Sequence, residues 1–127
     1  MKMASTGKAM ELAEASEENG GISVAEITSL TDTVLGFRLG TTTRTQLDGY
    51  MPRLARELNR LLGKDLGTES GIEAQELVRK ATRLVELSAR PTAETPTFGT
   101  FIYLRDVANL TRRLLWLYTE RNGLDAP

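Results

Sequence analysis

The sequence predicts an all-α fold: a single-domain antiparallel four-helix bundle with a short N-terminal arm that is either disordered or weakly helical. Apolar residues recur at intervals of three and four in four segments, which is the period of a helix with one buried face. Capping-box sequences precede three of the segments. The connections are roughly four to eight residues long, and connections this short favour antiparallel neighbours. We therefore assign residues 1–21 to the arm and residues 22–127 to the bundle.

The most apolar segment, residues 98–118, predicts the central helix of the bundle. Its apolar residues cover two adjoining faces, whereas a surface helix needs only one. Pro96 and Gly99 indicate its start, and Asn122 with Gly123 its end. We expect Gly123 to form a left-handed C-cap. The predicted buried positions are Phe98, Phe101, Ile102, Leu104, Val107, Ala108, Leu110, Leu114, Leu115, Leu117 and Tyr118.

The arm, residues 1–21, is rich in small, polar and acidic residues. With little apolar surface to bury, it is typical of a solvated segment. The alternative is an acidic helix over residues 8–18 that orders against a basic partner or against the bundle itself.

The first bundle helix is predicted to begin at Ser23, because Ser23 and Glu26 have the capping-box spacing and Ile22 and Ile27 occupy the flanking staple positions. Gly40 and the three threonines after it are expected to end the helix. Its inner face is predicted to contain Ile27, Leu30, Val34 and Phe37.

The second helix has a capping-box candidate in Thr43 and Gln46 and an apolar stripe from Leu47 to Leu62. Pro52 lies inside it and cannot donate a hydrogen bond to the carbonyl of Asp48. With Gly49 nearby, we expect a kink or a break at residues 48–52, or else a continuous helix that begins only near Asp48.

The third helix is predicted to start at Thr68 or Ser70, where Ser70 and Glu73 form the third capping-box match. It is expected to end at Arg90, because the residue before Pro91 resists helical geometry. The predicted inner face is Ala74, Leu77, Val78, Ala81, Leu84, Val85 and Ser88.

The composition excludes several kinds of catalytic and metal site but does not identify a reaction. The 127 residues include no Cys and no His, which argues against zinc catalysis, Ser-His-Asp chemistry and Glu-x-x-His di-iron sites. The absence of Cys fits a reducing cytoplasm, where we expect the protein to reside. A formal net charge of −1 argues against a dedicated nucleic-acid binder. No run of apolar residues is long enough for a membrane span, and no cofactor motif is found.

Arginines form the first candidate site, a basic surface on helices two and three. They are either solvated faces interleaved with glutamates or, if they meet across the bundle, a site for phosphate or for an acidic partner. The residues are Arg53, Arg56, Arg60, Arg79 and Arg83, with Lys64, Lys80, Arg112 and Arg113 nearby.

Carboxylates form a second candidate at the start of helix three, where Glu69, Glu73 and Glu76 share a face. They are explained by the helix macrodipole. A Mg²⁺ site would need a further carboxylate from another helix, and Asp106 is the candidate donor.

Polar residues interrupt the apolar surface of the central helix at Arg105, Asp106 and Asn109. If they are partly buried they need partners. They are then either members of a structural salt bridge to helix two or three, or the lining of a small pocket that faces Tyr50 and Pro52.

Trp116 and Tyr118 lie near the end of the same helix. We expect core burial for both, and the alternative is an exposed interface, since aromatic anchors are common there. A homodimer would use such a surface.

Two segments carry a resemblance to a known family: Leu47 to Met51 followed by a leucine-spaced helix, and Ala108 to Leu115 leading to Tyr118. Over about residues 27–120 the chain resembles small all-helical actinobacterial proteins labelled as natural-product biosynthesis proteins. The missing His and the loop prolines depart from that pattern. The resemblance implies a context in secondary metabolism and no catalytic residues.

These observations favour a non-enzymatic helical protein that binds a protein partner, a second copy of itself or a small molecule, as an accessory or regulator of secondary metabolism. The first alternative is an adaptor that binds nucleic acid or an acidic protein through the arginine-rich faces. The second is a His-free, Mg²⁺-dependent enzyme that uses Asp106 or Glu73.

Overall fold

The computed structural model describes residues 21–86 and 89–124, apart from the side chain of Ser70. The expectations for the arm before Gly21 and for Ser88 lie outside the described residues. The chain forms an all-α four-helix bundle, as predicted, and the described part contains no strand. The helices are α1 (Val24–Leu35), α2 (Arg44–Leu62), α3 (Ile72–Val85) and α4 (Thr97–Arg121), and a 3₁₀ turn at Thr68–Ser70 precedes α3.

The last helix, α4, is the central element, as its apolar pattern predicts. It packs against all three other helices, most extensively against α2. Over the described residues α1 and α3 do not contact each other, so they lie on opposite sides of the α2–α4 pair. The α4 residues in the hydrophobic core are Phe101, Leu104, Val107, Ala108, Leu114, Leu115 and Tyr118.

Two predicted core residues of α4 are on the surface: Phe98 is 60% exposed and Ile102 is 40% exposed. Among the residues that the structure describes, α1, α2 and α3 contact α4, and one stripe of the helix is left exposed. Positions 98, 102, 105, 109 and 116 share this stripe at 100° per residue. We call it the α4 outer stripe.

The first helix begins as predicted, with the Glu26 N–H donating to Ser23 Oγ at 3.3 Å. It ends at Leu35 and not at Gly40. The Gly36 N–H donates to the carbonyls of Asp32 and Thr33 at 3.0 and 3.2 Å, which closes the last turn. Glycine is a poor helix former, and the next residue, Phe37, leaves the helix and packs its ring edge-on against Tyr50.

The second helix has the predicted capping box: the Gln46 N–H donates to Thr43 Oγ1 at 3.2 Å, and the Thr43 N–H donates to Gln46 Oε1 at 2.9 Å. The helix runs unbroken through Pro52, so the expected break and the later start near Asp48 are both wrong. Buried Leu47 and Leu54 hold α2 in the core on either side of the proline, which offsets the one lost hydrogen bond.

The third helix is shorter than predicted at both ends. Gly71, in an extended conformation, is its N-cap, whereas Ser70 belongs to the preceding 3₁₀ turn, so the predicted cap is wrong. The helix ends at Val85, five residues before Arg90. Arg90 Nε donates to the Val85 carbonyl at 3.1 Å, and the Tyr103 hydroxyl donates to the Leu84 carbonyl. Side chains from outside α3 thus take up its last carbonyls.

The end of α4 is the predicted glycine cap. Gly123 has φ of 66°, the Leu124 N–H donates to the Thr119 carbonyl at 2.8 Å, and the Gly123 N–H donates to the Glu120 carbonyl at 3.4 Å. This pair of bonds is the Schellman motif. Within the described ranges, no helix has the length and apolar content needed to cross a bilayer.

Candidate functional site

The predicted pocket around the polar residues of α4 does not exist as one site. All three side chains are exposed: Arg105 and Asn109 lie on the outer stripe, and Asp106 lies beside it, toward α3. Arg105 lies over the Phe101 ring, 5.9 Å from its centroid. No ion pair joins Arg105 or Asp106 to α2 or α3 among the described residues, so the predicted salt bridge is also wrong.

The buried polar residues of α4 are three threonines that are satisfied within the helix. The Thr111 hydroxyl donates to the Val107 carbonyl at 2.6 Å, and Thr100 and Thr119 make similar bonds to backbone carbonyls. These residues therefore need no ligand or second helix. The ion pair that does join α4 to another helix comes from Arg112, which donates to the Asp32 carboxylate of α1 and, at 3.4 Å, to Thr31 Oγ1.

A groove between α3 and α4 has the features of a ligand site, and we call it the α3/α4 groove. Its volume is about 470 Å³, within the range of about 300–1,000 Å³ for small-molecule sites. Its lining residues are Lys80, Arg83, Leu84, Ala89, Asp106, Asn109, Leu110 and Arg113. Leu84, Ala89 and Leu110 contribute apolar surface, and the hydrocarbon stems of the long cationic side chains extend it.

Three cations and one carboxylate line the groove: Lys80, Arg83, Arg113 and Asp106. None of these four side chains forms an ion pair or hydrogen bond with another described residue. The sequence prediction divided these polar residues between two candidates, with Lys80, Arg83 and Arg113 in or near the basic surface and Asp106 and Asn109 in the pocket. It missed the apolar residues of the groove. Leu84 follows Lys80 by four residues, and Leu110 follows Asp106 by four. This spacing puts each leucine on the same face of its helix as the charged residue, and it is the sequence signal that could have identified the groove.

Pro52 lines a separate cavity of about 230 Å³ between α2, the α3–α4 connection and α4. The α4 residues there are Tyr103, Leu104 and Val107, not the predicted polar residues. Burial raises the pKa of the Tyr103 hydroxyl, whose hydrogen bond to the Leu84 carbonyl already uses its proton. Asp48 and Arg90 are its charged lining residues, most of the others are apolar, and the cavity is smaller than most ligand sites.

Tyr50 lines a third depression, between α1 and α2, together with Arg53, Arg56, Glu26 and Glu57. Burial raises the pKa of Glu57, and this outweighs the opposing effect of Arg60. The Arg53 guanidinium lies 5.1 Å from the centre of the Tyr50 ring. Two guanidinium groups and two carboxylates leave this surface electrically balanced.

The predicted basic surface is divided in two. Arg53, Arg56 and Arg60 belong to the α1/α2 side, where Arg60 donates to the Gly21 carbonyl at 3.1 Å and lies 3.6 Å from Glu57. The exposed Arg79 and Arg83 belong to α3, on the other side of the α2–α4 pair. In the α3/α4 groove, cations of two helices do meet: Arg113 of α4 joins Lys80 and Arg83 of α3.

The acidic residues at the start of α3 form no metal site. Within residues 21–86 and 89–124, no three carboxylates come close enough to hold a cation. Glu69 lies 3.9 Å from Arg121, and Asp106, the predicted extra donor, shares its groove with cations.

The two aromatic residues near the end of α4 have opposite environments. Tyr118 is 5% exposed and belongs to the core, as predicted, and burial raises the pKa of its hydroxyl. Trp116 is 47% exposed, so the prediction of core burial is wrong for it. Trp116 lies on the outer stripe, and of the two predicted interface residues it is the accessible one.

Comparison with known proteins gives no relative: no protein-family model, no curated protein sequence and no solved structure matches the chain.

Proposed function

We propose that this is a non-enzymatic small-molecule-binding protein whose site is the α3/α4 groove. The observation that carries the proposal is a groove of about 470 Å³ with an apolar floor, whose charged side chains have no partner among the described residues. Apolar walls with a few convergent polar groups are typical of ligand sites. The resemblance of the chain to natural-product biosynthesis proteins supports an accessory or regulatory role in secondary metabolism.

A panel of three small compounds with one apolar body tests the proposal: 4-phenylbutyrate, 4-phenylbutan-1-ol and 4-phenylbutylamine. We expect at least one to shift the backbone amide resonances of Leu84, Ala89 and Leu110 in titrations of ¹⁵N-labelled protein. Ala89→Trp, which fills the groove, should abolish the shifts. Ala93→Trp is the matched control, because Ala93 is exposed and outside the groove. If none of the three compounds shifts these resonances, the proposal is wrong.

A second candidate function, association of two copies, is favoured by the α4 outer stripe. It exposes Phe98, Ile102 and Trp116 on one side of one helix. Exposed apolar residues that share a face are more common at interfaces than on free surfaces. Light scattering across a concentration series tests this candidate, and a monomer at every concentration would contradict it.

A further inference from the structure

We infer that the ligand of the α3/α4 groove is a small amphipathic anion, a carboxylate attached to an apolar body, with its charged end at Lys80 and Arg113. This inference rests on the proposed function and adds the ligand's charge and its orientation. Four observations support it: the charge balance of the lining, the lack of protein partners for these charges, their order along the two helices, and the position of the apolar surface.

The charge balance of the groove is positive. Lys80, Arg83 and Arg113 contribute three positive charges and Asp106 contributes one negative charge, which leaves +2 on a chain whose formal net charge is −1. The neighbouring depression on α3 adds one carboxylate, Glu76, and one guanidinium, Arg79, so it does not change the balance. An anion is therefore attracted to this part of the surface.

The groove cations differ from the arginines that stabilise the fold. Arg44, Arg60, Arg112 and Arg121 each donate to a carboxylate or a backbone carbonyl. Lys80, Arg83 and Arg113 have no such acceptor among the described residues. Because no described residue uses their hydrogen-bond donors, we expect these donors to bind a ligand carboxylate, which a guanidinium group holds with two parallel bonds.

The order of the charges along the helices gives the groove two different ends. The end of α3 meets the beginning of α4 where the Tyr103 hydroxyl donates to the Leu84 carbonyl, and Arg121 reaches Glu69 at the opposite end, so the two helices are antiparallel. Arg113 consequently lies toward the Lys80 end, and Asp106 lies toward the Ala89 end. The seven residue steps from Asp106 to Arg113 correspond to about 10 Å along α4.

A bound carboxylate is most stable at the Lys80 and Arg113 end, because that end is farthest from the like charge of Asp106. The ligand's apolar body then lies along Leu110 and Leu84 toward Ala89, where it covers apolar surface. An inorganic anion would reach the cations but would gain nothing from these residues.

The three-compound panel also tests this inference, since its members share one apolar body and differ in charge. We expect 4-phenylbutyrate to bind several-fold more tightly than the alcohol, and the amine to bind most weakly. Lys80→Gln and Arg113→Gln should each weaken 4-phenylbutyrate binding by about two- to fivefold, the range for partly exposed ion pairs. Asp106→Asn should tighten it. Arg79→Gln, the matched control on the same helix but outside the groove lining, should have a smaller effect.

The outcomes separate the two proposals. If the compounds bind in the groove with equal affinity, or if the amine binds most tightly, the inferred charge is wrong and the proposed function stands. If none binds there, both are wrong. Sodium acetate has the same charged group without the apolar body. If it matches the affinity of 4-phenylbutyrate, the inferred apolar contact is wrong.

Discussion

Lys80 of α3 and Arg113 of α4 lie on opposite walls of one groove, and neither has an ion-pair partner among the described residues. The preceding residue, Arg112, points to the other side of α4 and donates hydrogen bonds to Asp32 and Thr31 of α1. Of these two adjacent arginines, Arg112 therefore links α4 to α1, whereas the Arg113 side chain has no partner among the described residues. This division leads to predictions for stability and for binding.

Replacement of Arg112 is expected to destabilise the fold. Arg112→Met keeps the aliphatic stem but removes the ion pair to Asp32 and the bond to Thr31, so the free energy of unfolding should fall by about 0.5–1 kcal/mol, the value for a partly exposed pair. Arg113→Met is the matched control and should stay within about 0.5 kcal/mol of the parent. Urea denaturation measures both, and equal losses would contradict the division of roles.

Replacement of the proline inside α2 is expected to stabilise the protein. Pro52→Ala restores the N–H that can donate to the Asp48 carbonyl. Alanine also gives the unfolded chain more conformational entropy, which favours unfolding, but this effect is the smaller one. We therefore expect the free energy of unfolding to rise by about 1–2 kcal/mol. Gly49→Ala, one turn earlier, provides a reference. A Cβ there meets no atom within 4 Å, so we expect about 1 kcal/mol of stabilisation from helix propensity alone. A loss of stability in Pro52→Ala would show that α2 needs the proline.

Stability at acidic pH should depend on Asp65. The Gly67 N–H, which donates to its carboxylate at 3.0 Å, and the Arg121 guanidinium at 3.1 Å lower its pKa in the folded protein. The ionised form thus favours the folded state above the ordinary aspartate pKa of about 3.9, and this contribution is lost as the pH falls through the lower, folded-state pKa.

Thermal melts from neutral to strongly acidic pH test this dependence. Asp65→Asn should have a lower Tm at neutral pH and a flatter acid limb, so that its curve converges with that of the parent at low pH. Arg121→Gln should produce a smaller change, because the backbone hydrogen bond from Gly67 remains. Parallel curves for parent and Asp65→Asn would contradict the stated cause.

The helices could be predicted from the sequence because their determinants are local. The capping pairs Ser23–Glu26 and Thr43–Gln46 and the glycine cap at Gly123 depend on residues three to five positions apart, and the structure confirms all three ends. Pro52 shows the limit of local rules: its helix continues because Leu47 and Leu54 are buried in the core, which a penalty assigned to one residue does not include.

The site could not be predicted in the same way, because it depends on which side of α4 has no neighbour. The apolar pattern around the whole of α4 indicates partners on several sides, but it does not show that α1 and α3 leave a stripe uncovered. Arg105 and Asn109 occupy that stripe, and Asp106 lies beside it, toward α3. Their expected burial beside Pro52 was therefore wrong. Leu84 and Leu110 line the groove because α3 packs beside α4, and this pairing is not encoded in either segment alone.

Tryptophan fluorescence should show whether the outer stripe is free or covered. Trp116 is the one tryptophan of the chain and is 47% exposed, so in a monomer its emission should resemble that of tryptophan in water and acrylamide should quench it. Blue-shifted, protected emission that becomes exposed on dilution would show that a second copy covers the stripe. Trp116→Gln should then give a monomer at the same concentration.

The most direct test of the central claim is the position of a bound amphipathic anion. In a nuclear Overhauser experiment on ¹³C-labelled protein with 4-phenylbutyrate, we expect contacts from the phenyl protons to the methyl groups of Leu84, Leu110 and Ala89, and from the methylene group next to the carboxylate to protons of Lys80 or Arg113. Contacts of the phenyl ring with residues outside the groove, or the reverse orientation with the carboxylate end at Ala89, would contradict the account.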